Sequence, residues 1–196
     1  ALANGRVIIA LFLTMLCCIV LGMGVPTTAN YCIMAATCAP ILVRMGVPAI
    51  AAHFFVFYFG IVADLTPPVA LAAYAGAAIG QANPMKTGIT ATKLAIAAFI
   101  VPYIFAMNPA MLFIDATVID VLQIALSSCM GMLGVCMGLM GYFASNLNMP
   151  LRLLSIFGGL LMIIPGTMTD VVGLVIVAVV IIVSFFMGRK QKAAMV

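Results

Sequence analysis

The stretch from Val47 to Gly80 reads VPAIAAHFFVFYFGIVA, then DLTPP, then VALAAYAGAAIG. Its apolar first part has 17 residues and its apolar last part has only 12. Because a helix rises ~1.5 Å per residue and needs ~20 residues to cross a bilayer core, the last part is too short to cross alone. The stretch therefore predicts one transmembrane helix that is broken at Asp64 to Pro68. Thr66 is the expected N-cap of the second half, which we expect to begin at Pro67.

The composition of the whole chain is that of a membrane protein. Of its 196 residues, 67% are hydrophobic and 6% are charged, and the mean hydropathy is +1.37. Soluble domains carry about 25% charged residues, because water must solvate their surface. The chain is therefore predicted to be an all-α integral membrane protein. Its eight basic residues are scattered between apolar runs, which argues against nucleic-acid binding.

A second interruption lies nearer the beginning of the chain. Two apolar runs of 15 residues, Val7 to Leu21 and Ala29 to Val43, flank the segment GMGVPTT at Gly22 to Thr28. Each run covers only ~22 Å as a helix. Arg6 precedes the first run and Arg44 follows the second, so both ends emerge on the same face. These features predict a re-entrant helical hairpin with its tip at Gly22 to Thr28, with an ordinary tight turn outside the membrane as the alternative.

Further apolar runs predict more transmembrane helices towards the end of the chain. The chain accordingly divides into a transport segment over residues 1–113 and C-terminal helices with a short basic tail over residues 114–196. The predicted helices are Leu94 to Ile114, with a kink at Pro102, Val118 to Phe143, Leu151 to Ile164 and Val171 to Met187, the last two flanking Pro165-Gly166.

Charged residues between these helices predict the orientation. Counting spans from the hairpin places six basic and no acidic residues on one side of the membrane, and two basic and three acidic residues on the other. By the positive-inside rule the first side is the cytoplasm, so the C-terminus is predicted to be cytoplasmic and the hairpin to enter from outside an inner membrane. The cytoplasmic residues are Lys86, Lys93, Arg152, Arg189, Lys190 and Lys192, and the outer ones are Arg6, Arg44, Asp115, Asp120 and Asp170.

The two interruptions are the predicted functional site. Backbone groups freed by a broken helix inside a bilayer must be satisfied by protein, water or a ligand. Free carbonyl and hydroxyl oxygens suit Na⁺, and half-helix N-termini suit an anionic substrate. The candidate Na⁺ ligands are Gly22, Gly24, Pro26, Thr27, Thr28, Asp64, Thr66, Pro67 and Pro68. The candidate substrate contacts are Thr27, Asn30 and Thr66, with a helix-to-helix hydrogen bond as the alternative for Asn30 and a helix-end cap as the alternative for Asp64.

Other motifs are interpreted as structural. The six cysteines lie in apolar runs without C-x-x-C spacing, and His53 is the single histidine, so transition-metal and disulfide frameworks are not expected. His53 is expected to form a hydrogen bond between helices, and Gly76-x-x-x-Gly80 and Gly134-x-x-x-Gly138 are expected to pack helices closely. No enzyme signature is found, and we expect no cofactor other than Na⁺ as the coupling ion.

Four motifs together resemble one transporter family. They are GMGVPTTANY at Gly22 to Tyr31, APILVRMGV at Ala39 to Val47, AAHFFVFYFG at Ala51 to Gly60 and ADLTPPVALAAYA at Ala63 to Ala75. The region from Arg6 to Met111 resembles the large, DctM-like permease of tripartite ATP-independent periplasmic (TRAP) transporters. The resemblance is to the fused 4TM/12TM permeases that work with TAXI-type binding proteins.

The resemblance implies a fold and partners. It implies the ion transporter superfamily fold, with this chain holding the second hairpin and second broken helix of an elevator-type transport domain. The implied function is sodium-coupled import of small organic anions such as carboxylates. The implied partners are a periplasmic TAXI-type substrate-binding protein, the remaining permease half, a small four-helix membrane portion and membrane lipid. The alternatives are a non-transporting helical scaffold subunit and another ion-coupled secondary carrier.

Overall fold

The structure, a computed structural model, describes residues 6–164 and 166–193. Its elements are helices, with no strand within those two ranges. Three helical stretches are long and apolar enough to cross a membrane: Pro84–Met107, Val118–Met140 and Thr167–Arg189. The predicted all-α membrane fold is confirmed. The chain divides into two compact units, Ala1–Leu112 (the first unit) and Phe113–Val196 (the second unit).

The first unit is a series of short helices. They are α1 Val7–Gly22, α2 Thr27–Thr37, α3 Ala39–Arg44, α4 Ala49–Val62, α5 Leu71–Ile79, α6 Pro84–Leu94 and α7 Ile96–Met107, with 3-10 turns at Ala63–Leu65 and Pro109–Leu112. Helix α1 and the pair α2–α3 occupy the two predicted hairpin arms. The tip between them, residues 23–26, is not helical.

Both arms pack against α4, which forms the centre of the first unit. Phe55 and Phe59 of α4 are fully buried, together with Leu11 from the first arm and Met34 and Leu42 from the second. The ring centroids of Phe55 and Phe59 lie 4.8 Å apart in an edge-to-face arrangement. Aromatic pairs in this geometry stabilise the fold beyond the contribution of their buried apolar area. The tightly packed centre fixes where the ends of α1, α2 and α4 lie.

The broken helix is present, but its second half begins later than predicted. Helix α4 ends at Val62, and the 3-10 turn that follows it ends at Leu65. Helix α5 begins at Leu71 rather than at Pro67. The predicted start at Pro67 is therefore wrong. Pro68 disfavours the α region at Pro67 and so disfavours a helix start there, and the left-handed backbone of Ala70 keeps the helix from beginning before Leu71. Ala70, the residue before α5, has φ +34°.

The segment after α5 also differs from the prediction. The sequence predicts a loop before a helix from Leu94 to Ile114, but α6 begins at Pro84 and α7 ends at Met107. The Asn83 side chain accepts a hydrogen bond from Lys86 N at 3.0 Å and caps α6, with proline at the first helical position. Lys93 therefore lies in a helix rather than in a loop.

The second unit consists of three helices packed through glycines. They are α8 Val118–Met140, α9 Met149–Leu161 and α10 Thr167–Ala193, close to the predicted helices. A Cβ atom built on Gly134 would lie 3.1 Å from Ser155 O, and one built on Gly138 would lie 2.6 Å from Arg152 O. The predicted packing role of Gly134 and Gly138 is confirmed.

Two further expectations have different outcomes. Among the described residues, nothing lies within 4 Å of a Cβ atom built on Gly76, so the predicted close packing of Gly76-x-x-x-Gly80 is wrong for this part of the chain. Pro165, in the predicted break before α10, lies outside the described residues, as do the side chains of the basic tail from Lys190 onward.

Candidate functional site

The hairpin tip and the helix break meet at Gly22. This glycine is the last residue of α1, and a Cβ atom built on it would lie 3.0 Å from Ala63 Cβ and 3.2 Å from Gly60 O. Ala63 opens the 3-10 turn that contains Asp64. The end of α1 can approach the end of α4 this closely only because Gly22 has no side chain. The two interruptions, which are far apart along the chain, are thus in contact.

Asn30 fills the space between these helix ends. It lies in α2, its side chain is 1% exposed, and its Nδ2 donates a hydrogen bond to Gly60 O at 3.0 Å. Built Cβ atoms on Gly22 and Gly60 would each lie 2.7 Å from Asn30 Nδ2. Glycine is therefore needed at both positions to leave room for the Asn30 amide group. Its burial agrees with the hydrogen bond between helices that was the alternative for Asn30.

The other atom of the same amide has no partner. Because Gly60 O accepts a hydrogen bond, the NH₂ group of Asn30 must face it, and Oδ1 faces away. Asn30 Oδ1 is buried without a hydrogen bond, the one such side-chain nitrogen or oxygen atom among the described side chains. A buried acceptor left unpaired costs roughly 1–3 kcal/mol, and an unseen ion or water is a common explanation.

The directions of the helices give the two parts of the site opposite partial charges. Helices α1 and α4 both end here, and the C-terminal end of a helix carries a partial negative charge. Helix α2 starts at Thr27 after Pro26 and α5 starts at Leu71 after Ala70, and neither start has a side-chain cap. Uncapped helix starts carry partial positive charge and free N–H groups. The arrangement suits a cation near Asn30 and an anion at the helix starts.

Some atoms of the break already have partners. The Thr66 hydroxyl donates to Val62 O at 2.8 Å, which leaves the lone pairs of its oxygen available to a cation. The Thr92 hydroxyl of α6 lies 3.1 Å from Leu65 O and 3.0 Å from Gly88 O. Thr92 was not among the predicted site residues. Nothing local in the sequence indicated it, because its partner Leu65 O lies 27 residues away along the chain.

Asp64 is half-buried in the 3-10 turn. Its carboxylate makes no hydrogen bond or ion pair with any side chain that the structure describes. Since a charged group in a membrane segment is costly unless it is paired or solvated, Asp64 is available to a ligand or to water.

The remaining predicted residues lie in the tip, in the first turn of α2 and in the break. Gly24 has φ +75° in the tip, a conformation that favours glycine, and Thr27 and Thr28 are exposed in the first turn of α2. Pro67 and Pro68 contact the following helices instead: Pro67 Cγ lies 3.3 Å from a Cβ atom built on Gly88, and Pro68 O accepts a hydrogen bond from Tyr74 at 2.8 Å. These two prolines are thus held by α5 and α6.

A small cavity lies beside the second arm. Its volume is about 250 Å³, and it is lined by Tyr31, His53, Phe54 and Phe57. The Tyr31 hydroxyl and His53 Nδ1 are 3.1 Å apart, and the Tyr31 and Phe57 rings meet edge to face at 5.5 Å. The predicted hydrogen bond of His53 between helices is confirmed.

The comparison with known proteins points to a transporter. The family model described as tripartite ATP-independent periplasmic transporter, DctM component, matches residues 1–119. This match covers the whole first unit, including the tip, Asn30 and the break. No curated protein and no solved structure matches the chain.

Proposed function

The chain belongs to the DctM component family of TRAP transporters, and on that premise we propose that it forms part of a sodium-coupled permease for small organic anions. Membership makes it a component of a transporter permease in the membrane and implies a substrate-binding protein as a partner, together with other membrane components. Sodium coupling, the carboxylate substrate and the elevator movement go further and are the proposal.

The observation that carries the sodium proposal is the unpaired Oδ1 of Asn30. A hard cation prefers oxygen ligands, and an amide oxygen that is already buried needs no further desolvation to bind one. The C-terminal ends of α1 and α4, which carry partial negative charge, both lie beside Asn30. We therefore place Asn30 among the Na⁺ ligands rather than among the substrate contacts.

The tip and the break supply the other proposed ligands. Thr66 offers its hydroxyl oxygen, Asp64 its carboxylate, and Gly22 the last carbonyl of α1. Gly24, Pro26, Thr27 and Thr28 offer the backbone and hydroxyl oxygens of the tip, as predicted. Pro67 and Pro68 contribute by interrupting the helix, because neither has an N–H group to donate to a helical carbonyl.

The substrate proposal depends on the uncapped helix starts. Thr27 and Thr28 are exposed at the start of α2, where free N–H groups attract an anion. A carboxylate bound there would lie on the positive end of α2, while the cation lies on the negative ends of α1 and α4. Opposite charges of ion and substrate would then favour binding of both together. This coupling is the physical basis for sodium-driven uptake.

The proposed location and orientation in the membrane follow from the distribution of basic residues and from the family. We propose that the two arms form a re-entrant hairpin in a bacterial inner membrane, that the C-terminus is cytoplasmic, and that the binding protein is of the TAXI type. Lys86 lies at the beginning of the span Pro84–Met107, and the exposed side chain of Lys93 has a flexible stem that would let its charge reach the same side. Arg152 and Arg189 add to the basic side.

Uptake by the full permease tests the proposal. The permease is reconstituted in liposomes with its binding protein, and uptake of radiolabelled dicarboxylates and amino acids is followed with a Na⁺ or a K⁺ gradient. We expect uptake only with Na⁺. Uptake at the same rate with K⁺ would remove sodium coupling, and no uptake of any anion would favour the scaffold alternative.

Threonine variants locate the ion. We expect Thr66→Ala and Thr28→Ala to raise the Na⁺ concentration for half-maximal uptake by about tenfold, which corresponds to ~1.4 kcal/mol. Thr87→Ala is the matched control, because its hydroxyl also donates to the carbonyl four residues earlier, Asn83 O, at 3.0 Å. An equal Na⁺ dependence in all three variants would discard the assigned site.

A further inference from the structure

Two cysteines on opposite arms of the hairpin are in contact. Cys17 lies in α1, and Cys38 lies at the junction of α2 and α3. The Cys38 thiol donates to the Cys17 sulfur over 3.8 Å, and it also lies 3.9 Å from Met34 Sδ. The sulfurs meet because the second arm returns along the first. The sequence alone indicated only that all six cysteines are packing residues.

We propose that Cys17 and Cys38 are a dithiol that two-electron thiol oxidants convert to a disulfide between the hairpin arms. A disulfide has an S–S length of about 2.05 Å, so the sulfurs must approach by roughly 1.8 Å. Rotation about χ1 of either cysteine moves its sulfur over that range. Cys17 is exposed on the first unit, so its side chain has room to rotate.

The position of Cys38 also favours the bond. It lies between the end of α2 and the start of α3, where the second arm turns, and its N–H is already bonded to Met34 O at 2.9 Å. On the second arm, the bridge would therefore form at a joint between helices. Joining the arms there would limit how far the hairpin can open.

The reaction is balanced with an azodicarboxamide oxidant such as diamide. Each thiol loses one proton and one electron, and a new S–S bond joins the two sulfurs. The N=N bond of the oxidant takes up both protons and both electrons and becomes a hydrazine. A dithiol reductant reverses the change. This proposal needs no Na⁺ and does not depend on the proposed transport function.

The other cysteines of the hairpin make the assignment testable. Cys18 is next to Cys17 but is fully buried, so an oxidant cannot reach it in the folded protein. Cys32 is exposed on α2, and no sulfur contact of Cys32 is found among the described residues. Cys32 is therefore a matched control for an accessible thiol without a partner.

Mass spectrometry of the full permease tests the proposal. The purified permease is treated with diamide, its free thiols are alkylated with N-ethylmaleimide, and it is cut with chymotrypsin, which cleaves after Tyr31 and separates Cys17 from Cys38. We expect a linked peptide pair about 2 Da lighter than the two thiol peptides together, the mass of two hydrogens. Dithiothreitol should remove this pair.

Single variants decide which thiols react. Cys17→Ser and Cys38→Ser should each abolish the linked pair, whereas Cys32→Ser should keep it. Gel-filtration elution shows that each variant is folded. Alkylation of both Cys17 and Cys38 after diamide in the native protein would overturn the proposal. A link between Cys38 and Cys18, with Cys17 alkylated, would overturn it as well.

Discussion

The two units of this chain treat their polar groups in opposite ways. In the first unit, the ends of short helices meet at the tip and the break, and Asn30 Oδ1 is buried without a partner. In the second unit, helices of 23 and 27 residues run on without interruption. The two units differ in whether a buried polar side-chain atom is left without a hydrogen-bond partner among the described residues.

The polar groups of the second unit are bonded to one another. The Ser155 hydroxyl donates to Gly134 O at 2.6 Å, and the Ser145 hydroxyl donates to Ser184 O at 3.0 Å. Ser184 Oγ in turn accepts from Ala144 N at 3.2 Å. Polar groups paired in this way stabilise helix packing in a bilayer. In the described part of this unit, no buried side-chain nitrogen or oxygen atom is left without a partner.

The comparison teaches where to look for function in an apolar chain. Because an unsatisfied polar group is costly in lipid, a region that retains one needs a ligand or water to offset that cost. The match to the transporter family covers residues 1–119, and so includes the unit with the unsatisfied groups.

The largest effect is expected for Gly159→Val in the second unit. A Cβ atom built on Gly159 would contact Gly131 O and would lie 2.7 Å from Val135 N, both backbone atoms of α8. Backbone atoms cannot rotate away, so α8 and α9 must separate, at a cost of about 3 kcal/mol or more. Thermal unfolding of the purified permease measures this loss.

Gly76→Ala in α5 is the control for that variant. Nothing in the described part of the chain lies within 4 Å of a Cβ atom at Gly76. An alanine in a helix interior is favoured over glycine by roughly 0.5–1 kcal/mol, so we expect an unchanged or slightly higher unfolding temperature. Equal losses in the two variants would contradict the difference in packing.

A smaller effect is expected for Arg152→Met. Arg152 Nε donates to Gly138 O and Nη2 donates to Leu139 O, each at 2.9 Å, so the side chain caps the end of α8. Methionine keeps the apolar stem but removes both bonds, and we expect a loss of about 2 kcal/mol in unfolding free energy. Arg152→Lys keeps the charge near the helix end and should lose less. Stability unchanged in Arg152→Met would show that the cap is not needed.

The smallest effect is expected for Tyr31→Phe. This variant removes the bond to His53 Nδ1 at 3.1 Å but keeps the ring contact with Phe57. We expect a loss of about 1 kcal/mol in unfolding free energy and an unchanged response to Na⁺, since this pair is already satisfied without a ligand. A lost Na⁺ response would place Tyr31 in the ion site and weaken the comparison.

Much of the fold could be predicted because lipid imposes simple rules. Hydropathy located α1, α4 and α8, and the glycine and proline clusters located the tip and the break. Sequence signals for the beginning of a helix were less reliable where two of them lie next to each other. Thr66 and Pro67 form a helix start by themselves, but Pro68 disfavours the α region at Pro67, and the helix begins only after the left-handed Ala70. Conversely, Asn83 and Pro84 begin α6, a signal that hydropathy obscured.

The site could be predicted only in part. The sequence indicated that the tip and the break are functional, and the residues named there include Asn30. Which atom of Asn30 is left unpaired depends on the approach of Gly22 and Gly60 from two other helices, and spacing along the chain does not contain that information. Thr92 was missed for the same reason, because its partner Leu65 is 27 residues away.

The central claim is that the unpaired Asn30 oxygen holds Na⁺, and the Na⁺ dependence of stability tests it most directly. Thermal unfolding of the full permease is measured in NaCl and in KCl, so no substrate is needed. At a Na⁺ concentration about ten times the Kd, binding stabilises the folded state by about 1.4 kcal/mol. The comparison uses Asn30→Ala and, as its counterpart in the second unit, Ser155→Ala.

Both variants remove a buried side chain that donates to a backbone carbonyl on a neighbouring helix, and both should be less stable in KCl. We predict that Na⁺ stabilises the native protein and Ser155→Ala equally and has no effect on Asn30→Ala. A full Na⁺ stabilisation of Asn30→Ala would contradict the claim that this oxygen binds the ion.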